Sequence, residues 1–195
     1  MMRVALAFLI CGFVLTSAAA ASNDGGGTVG VGGTSPAVCS FQAAPRQLSA
    51  MNMSLGGATL ASGQITVTQL IDESTARLKS ASIQIEILGI CNGPHYVSLK
   101  TNSGGLSPQE QLTAAGGSFL THINYRAEAQ WAGQTVVLQT DATPGKKSPI
   151  GSVAGAYNGA LSLKITIDGT LNDMTLPTAN GVYSDSLIVQ IGLPL

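Results

Sequence analysis

The stretch Ser82-Ile83-Gln84-Ile85-Glu86-Ile87-Leu88-Gly89 decides the fold class. Isoleucine returns at every second position with polar residues between, so an extended strand here has one apolar face and one wet face. Two later stretches repeat the pattern: Leu161, Leu163, Ile165 and Ile167, and, towards the end, Leu187, Val189, Ile191 and Leu193. Fainter strand candidates are Gln64 to Leu70, His95 to Thr101, His122 to Ala127 and Thr135 to Thr140. Turn signals separate them: Asn92-Gly93-Pro94, Ser103-Gly104-Gly105, Pro144-Gly145, Asn158-Gly159, Asp168-Gly169 and Asn180-Gly181. Some seven short strands so punctuated predict an all-β antiparallel sandwich. Two stretches stay open between a short helix and irregular chain. Asp72 to Ser80 has an acidic start and a basic end, and Ser107 to Ala115 opens on Ser-Pro.

Composition narrows the function classes. The 195 residues carry 9 Lys+Arg against 10 Asp+Glu, a formal charge of −1, and only 10% are charged. An average soluble domain has about 25%, so Ser, Thr, Asn, Gln and Gly must solvate this surface. No basic stripe exists to neutralise phosphates, which argues against nucleic acid as a partner. After the first twenty-odd residues no apolar run reaches about 18 residues, so no membrane insertion is expected.

The chain begins with Arg3, an apolar run from Val4 to Leu15 broken only by Gly12, and the small residues Thr16 to Ala21. This order reads as a secretory signal peptide over residues 1–21, cleaved after Ala20 or Ala21. Residues 22–38 form a Gly-rich extension whose only large apolar residues before Val38 are Val29 and Val31. Residues 39–195 read as one domain. Removing the leader discards Cys11 and leaves Cys39 and Cys91. In an oxidising compartment an even pair can bond, and closing a loop of that length stabilises by roughly 4 kcal/mol in the chain-entropy picture. Neither cysteine belongs to a Cys-x-x-Cys pair or has histidines nearby, so zinc and redox roles fit poorly.

A search for chemistry yields little. The two histidines, His95 and His122, fall in candidate strands and read as surface or edge residues. His122 with one of the many serines is the remaining hydrolase option, unsupported by any G-x-S-x-G elbow. Asp168 with Asp173, and Asp72 with Glu73, lack calcium-loop spacing. Thr143 to Pro149, "TPGKKSP", has Thr140 where a phosphate loop needs its first Gly. Trp131 reads as core or sheet-edge packing. No catalytic residue, metal ligand or cofactor site is expected, and the chain does not read as an enzyme. The alternative reading is a self-complete secreted sandwich that binds carbohydrate or a cell surface, with Trp131 or Tyr157 exposed to do so.

Four segments, "VCSFQA", "SASIQIEILGICNGPHYVSLKTNSGG", "INYRAEAQW" and "NGVYSDSLIVQIGLPL", together resemble the spore coat protein U domain family, subunits of archaic, Csu-type chaperone-usher pili. Cys39 and Cys91 match the family's paired cysteines, Tyr96 to Leu99 the strand that follows, and Ile123, Asn124 and Tyr125 a later one. Gly181, Tyr183, Ser184, Asp185, Leu187, Val189 and Ile191 match its closing motif. Thr59 to Ser80 reads as an insertion. The resemblance implies an immunoglobulin-like sandwich lacking its final strand, with an apolar groove beside the last strand present; the groove and last-strand candidates are Tyr183, Leu187, Val189, Ile191 and Leu193. It implies a structural subunit that is exported to the periplasm and then to the cell surface. Its partners would be a periplasmic chaperone, an outer-membrane usher and neighbouring pilins. Val29 and Val31 are then the donor-strand candidates, passed into a neighbour's groove by β-augmentation.

Overall fold

A computed structural model describes residues 32–60, 62–109 and 118–194. The leader over 1–21 and the donor candidates Val29 and Val31 lie outside the described residues. Gly32 to Ser35 carry no strand, and the unit from Pro36 onward is an antiparallel β-sandwich.

The alternating stretches make its two longest strands, β5 (Ala81–Cys91) and β11 (Tyr157–Ile167), paired antiparallel along their full length. Their inward faces, Ala81, Ile83, Ile85 and Ile87 against Leu161, Leu163, Ile165 and Ile167, are buried and form the centre of the core. On the far side of β11 lies β8 (Arg126–Trp131), followed by β9 (Gln134–Gln139). The β8–β9 turn has positive φ at both Ala132 (49°) and Gly133 (78°), the geometry that lets a two-residue hairpin follow the strand twist. The opposite edge of β5 carries two short strands in succession, β1 (Cys39–Phe41) and β2 (Arg46–Met51). Cys39 stands directly across from Cys91, their Cα atoms 4.1 Å apart, and the two are joined by a disulfide.

The second sheet holds β6 (His95–Thr101) at its centre, with β10 (Gly151–Val153) on one side and β13 (Leu187–Gly192) on the other. Two small pairs complete the fold. These are the hairpin of β3 (Met53–Gly56) with β4 (Gln64–Val67), and β7 (Ser107–Pro108) with β12 (Tyr183–Ser184). Setting the extras aside, β1/β2-β5-β11-β8 faces β6-β13. That is the A-B-E-D and C-F order of an immunoglobulin sandwich, whose seventh strand, G, lies beside F. Here F is β13, and among the described residues only β6 pairs with it.

The two sides of the sandwich differ. On one, β10 closes against β9 so tightly that a Cβ on Gly151 would sit 3.0 Å from side-chain carbons of Gln134 and Val136 and 3.1 Å from Val97. On the other, the apolar face of β13 is only half-buried at Leu187, Val189 and Ile191.

Two open readings are settled here, and several expectations are corrected. Asp72 to Ser80 is not helical: Asp72 Oδ1 accepts from the backbone N–H of Ser74 at 2.9 Å, and Ala76 takes a φ of 55°. That combination closes a turn, and Ile71 and Leu78 then bridge across it. Ser107 and Pro108 pair as a strand, and residues 110–115 of this stretch lie outside the described set. The strand expected from His122 starts only at Arg126, because the backbone N–H groups of Asn124 and Tyr125 donate to side chains, Asn172 Oδ1 and Thr140 Oγ1.

Tyr183 is likewise not in the last strand. It lies in β12, half-buried, and its hydroxyl donates to the Ala179 carbonyl four residues upstream at 2.8 Å. This is the tyrosine corner that latches the entry to strand F in immunoglobulin-like sandwiches. Tyr183→Phe is expected to cost about 0.5–1.5 kcal/mol, measured as a lower urea midpoint with an unchanged slope. A midpoint equal to wild type would show that the latch contributes nothing.

Candidate functional site

Between the free edge of β13 and the strands on the far side of the opening lies an apolar groove of about 340 Å³. Its floor is the open end of the core, Ile85 and Ile87 of β5 with Leu163 and Ile165 of β11. One wall is β13, through Leu187 and Val189; the other is the β3–β4 hairpin, through Met53, Leu55, Ile65 and Val67. Large apolar side chains stand exposed around it, Leu60 at the hairpin tip and Ile188 on β13 among them. A row of unpaired backbone donors and acceptors beside an apolar trough is a template for another strand.

At one end the groove meets a polar cluster centred on Asp185. Its Oδ2 accepts from the hydroxyls of Thr101 and Tyr125, the latter at 2.8 Å, and from Gly105 N–H at 3.2 Å. Its Oδ1 accepts from Ser103 N–H and Ser186 N–H, each at 2.7 Å. Burial alone would push this carboxyl up, but the bonds from Thr101, Ser103, Tyr125 and Ser186 outweigh it and hold the group below the ordinary carboxylate value. Tyr125 moves the other way: burial, with the Asp185 charge in support, pushes its phenol well above the usual range. These are the two titratable side chains that line the groove, and each is committed to the other. The groove therefore offers apolar contact and a free backbone ladder, with no uncommitted acid or base.

The structure sorts the sequence-predicted site residues. Leu187 and Val189 line the groove. Ile191 does not; it packs down on β5, with its Cδ1 3.2 Å from where a Cβ on Gly89 would be. Leu193 lies past the end of β13, half-buried. Cys39 and Cys91 clamp the start of β1 to the end of β5.

Both histidines depart from the surface reading. His95 is 1% exposed, with Nδ1 donating to Gly93 O and Nε2 accepting from Trp131 Nε1–H, both at 2.8 Å. His122 is half-buried; Nε2 donates to Gly104 O at 3.1 Å, which leaves Nδ1 to the Ser107 hydroxyl at 3.1 Å. Its orienting partner is thus a backbone carbonyl rather than a carboxylate. Trp131 is 1% exposed, and Tyr157 meets it edge-on at 4.7 Å. The glycan-binding alternative asked for Trp131 or Tyr157 at the surface; Trp131 is in the core and Tyr157 is half-buried.

The strand expected over Gln64 to Leu70 appears as β4, but its partner β3 and their place in the groove wall were not foreseen. The available signal was Ile65 and Val67 at alternate positions after the glycine-flanked loop Gly56 to Gly63. Among the described residues no group of three or more His, Cys, Asp or Glu side chains is placed to hold a metal ion. No helix among them is long and apolar enough to cross a membrane. Compared with known proteins, the chain matches no family model, no curated protein and no solved structure.

Proposed function

We propose that the chain is an exported structural subunit of a chaperone-usher type pilus or surface fibre. The groove beside β13 takes a strand from another polypeptide, first a periplasmic chaperone and then a neighbouring subunit. The observation that carries this reading is the edge of β13. Among the described residues its six residues pair with β6 alone, and its apolar face stays half-buried beside the groove. Water covers the aliphatic face poorly, and the backbone groups along the edge are placed to exchange water for a partner strand. An added strand satisfies the ladder and covers the aliphatic side chains at once.

The test is co-expression in a periplasm with a chaperone of the chaperone-usher class, with wild type set against Val189→Arg. A stoichiometric complex is expected for wild type, and at least a tenfold loss of complex for the variant, because an arginine on the groove wall leaves its charge under the incoming strand. Hydrogen exchange at the amides of β13 in the isolated chain gives the second reading. Fast exchange on the amides that point away from β6 supports an open edge. A monomer that ignores the chaperone and protects those amides as well as those of β5 would overturn the proposal.

A further inference from the structure

The β3–β4 hairpin is the one groove wall that the sandwich order does not require. It forms a two-stranded sheet of its own. Asn52, at a φ of 57°, clamps its base: Nδ2 donates to Gln69 O at 2.6 Å, and Oδ1 accepts from Gln69 N–H at 2.8 Å. Further along, Gln47 Oε1 of β2 accepts from Leu55 N–H at 2.9 Å. Beyond these ties the arm is held by apolar packing of Leu55, Ile65 and Val67 on the core. The hairpin thus occupies volume that an added strand would otherwise take.

The space left is short. Ile191 has already closed over Gly89 beside Trp131, and at the other end Asp185 and Tyr125 are tied together. The open part therefore passes only two inward-facing residues of β13, Leu187 and Val189. An apolar cavity of about 150 Å³ takes one benzene-sized group. By that measure the groove's volume of about 340 Å³ takes two aliphatic side chains.

We propose that the groove is a gauge: with Leu55, Ile65 and Val67 of the hairpin narrowing it and Ile191 and the Asp185–Tyr125 pair closing its ends, it restricts the incoming strand to two aliphatic side chains at alternate positions, flanked by residues without bulk. The proposal rests on the strand-acceptor reading above and names the strand. The segment that fits is residues 27–33 of a second copy of this chain. Read at every second position it is Gly27, Val29, Val31 and Gly33, two aliphatic residues with glycine where the groove is closed at either end. A slip of one residue would turn Thr28, Gly30 and Gly32 inward and leave the trough unfilled, so the register is fixed as well.

The experiment adds two labelled peptides to the purified chain and reads fluorescence anisotropy. One peptide carries residues 26–34; the other is the same with Gly27→Val and Gly33→Val. Wild type is expected to bind the native peptide and to bind the bulkier one at least tenfold more weakly. The double variant Leu55→Ala, Ile191→Ala, which thins the hairpin wall and opens the end over Gly89, is expected to narrow that difference, and Ile150→Ser, exposed beside β10, to leave both affinities unchanged. Equal or tighter binding of the bulkier peptide by wild type would overturn the gauge and leave the acceptor reading standing. So would failure of both peptides when the chaperone complex still forms, whereas failure of the chaperone too would remove both readings. If the double variant does not fold, the wild-type comparison of the two peptides decides.

Discussion

Trp131→Ala is expected to lower the stability of the domain by about 3–5 kcal/mol, measured as a shifted denaturant midpoint with unchanged slope. The size follows from what the indole touches. It is 1% exposed, its Nε1–H satisfies the buried Nε2 of His95 at 2.8 Å, and Tyr157 packs on it edge-on. Its outer ring lies over β5, where a Cβ on Gly89 would come within 3.0 Å of Cη2. Removing the ring leaves a cavity and an unpaired imidazole nitrogen at the same time. Trp131→Phe isolates the second part: most of the packing survives, but His95 Nε2 keeps no donor, at about 1–3 kcal/mol. A double-mutant cycle with His95→Ala then reads the bond directly. If the two single changes add within about 0.5 kcal/mol, the Trp131–His95 pair is not the tie assigned to it. Because Ile191 rests on the same glycine, Trp131→Ala is also expected to weaken strand binding at the groove, although the residue lies outside it.

This dependence shows what the sequence makes legible and what it hides. Period two exposed β5 and β11 because their inward faces meet a continuous core, which demands an aliphatic side chain at every second residue, and β13 alternates as well although its inward face is only half-buried. β2 carried no such signal. Arg46 to Met51 is exposed at every position, since the strand sits on an edge and its inward residues, Gln47 and Ala50, stand opposite Ile85 and Ile83 at the border of the groove. The histidines fail for a different reason. An imidazole in a strand is polar by composition, and only the partner across the core, Trp131 for His95, decides that it can be buried. That β13 has no second partner strand among the described residues was implied by resemblance alone; alternation at Leu187, Val189, Ile191 and Leu193 cannot say whether a neighbour covers it.

The second large effect lies at Asp185, the residue that fixes where β13 begins. Its donors come from the end of β6, from the loop that follows it and from Tyr125, so a single carboxylate ties three segments to the mouth of the groove. Asp185→Ala leaves at least three of these donors without an acceptor, at about 1–3 kcal/mol each when buried. A loss on the order of 3–5 kcal/mol is expected, with the amides of β13 exchanging faster than those of β5. The sign of the pH dependence follows from the shift. The folded group lies below its ordinary value of 3.8, so its contribution is complete above that pH and is lost as pH falls through the lower, folded value. Acid should therefore loosen the last strand before the β5–β11 pair, whose facing side chains are aliphatic. Hydrogen exchange followed from neutral pH down past the carboxylate range is the measurement, with Asp185→Asn as control. Asparagine cannot gain a proton in that range, so in the variant β13 should be loosened at every pH and lose this part of its acid response. An acid response of β13 that survives unchanged in Asp185→Asn would assign the effect to other carboxylates, such as Asp168 or Asp173, each of which is also held low by a neighbouring threonine.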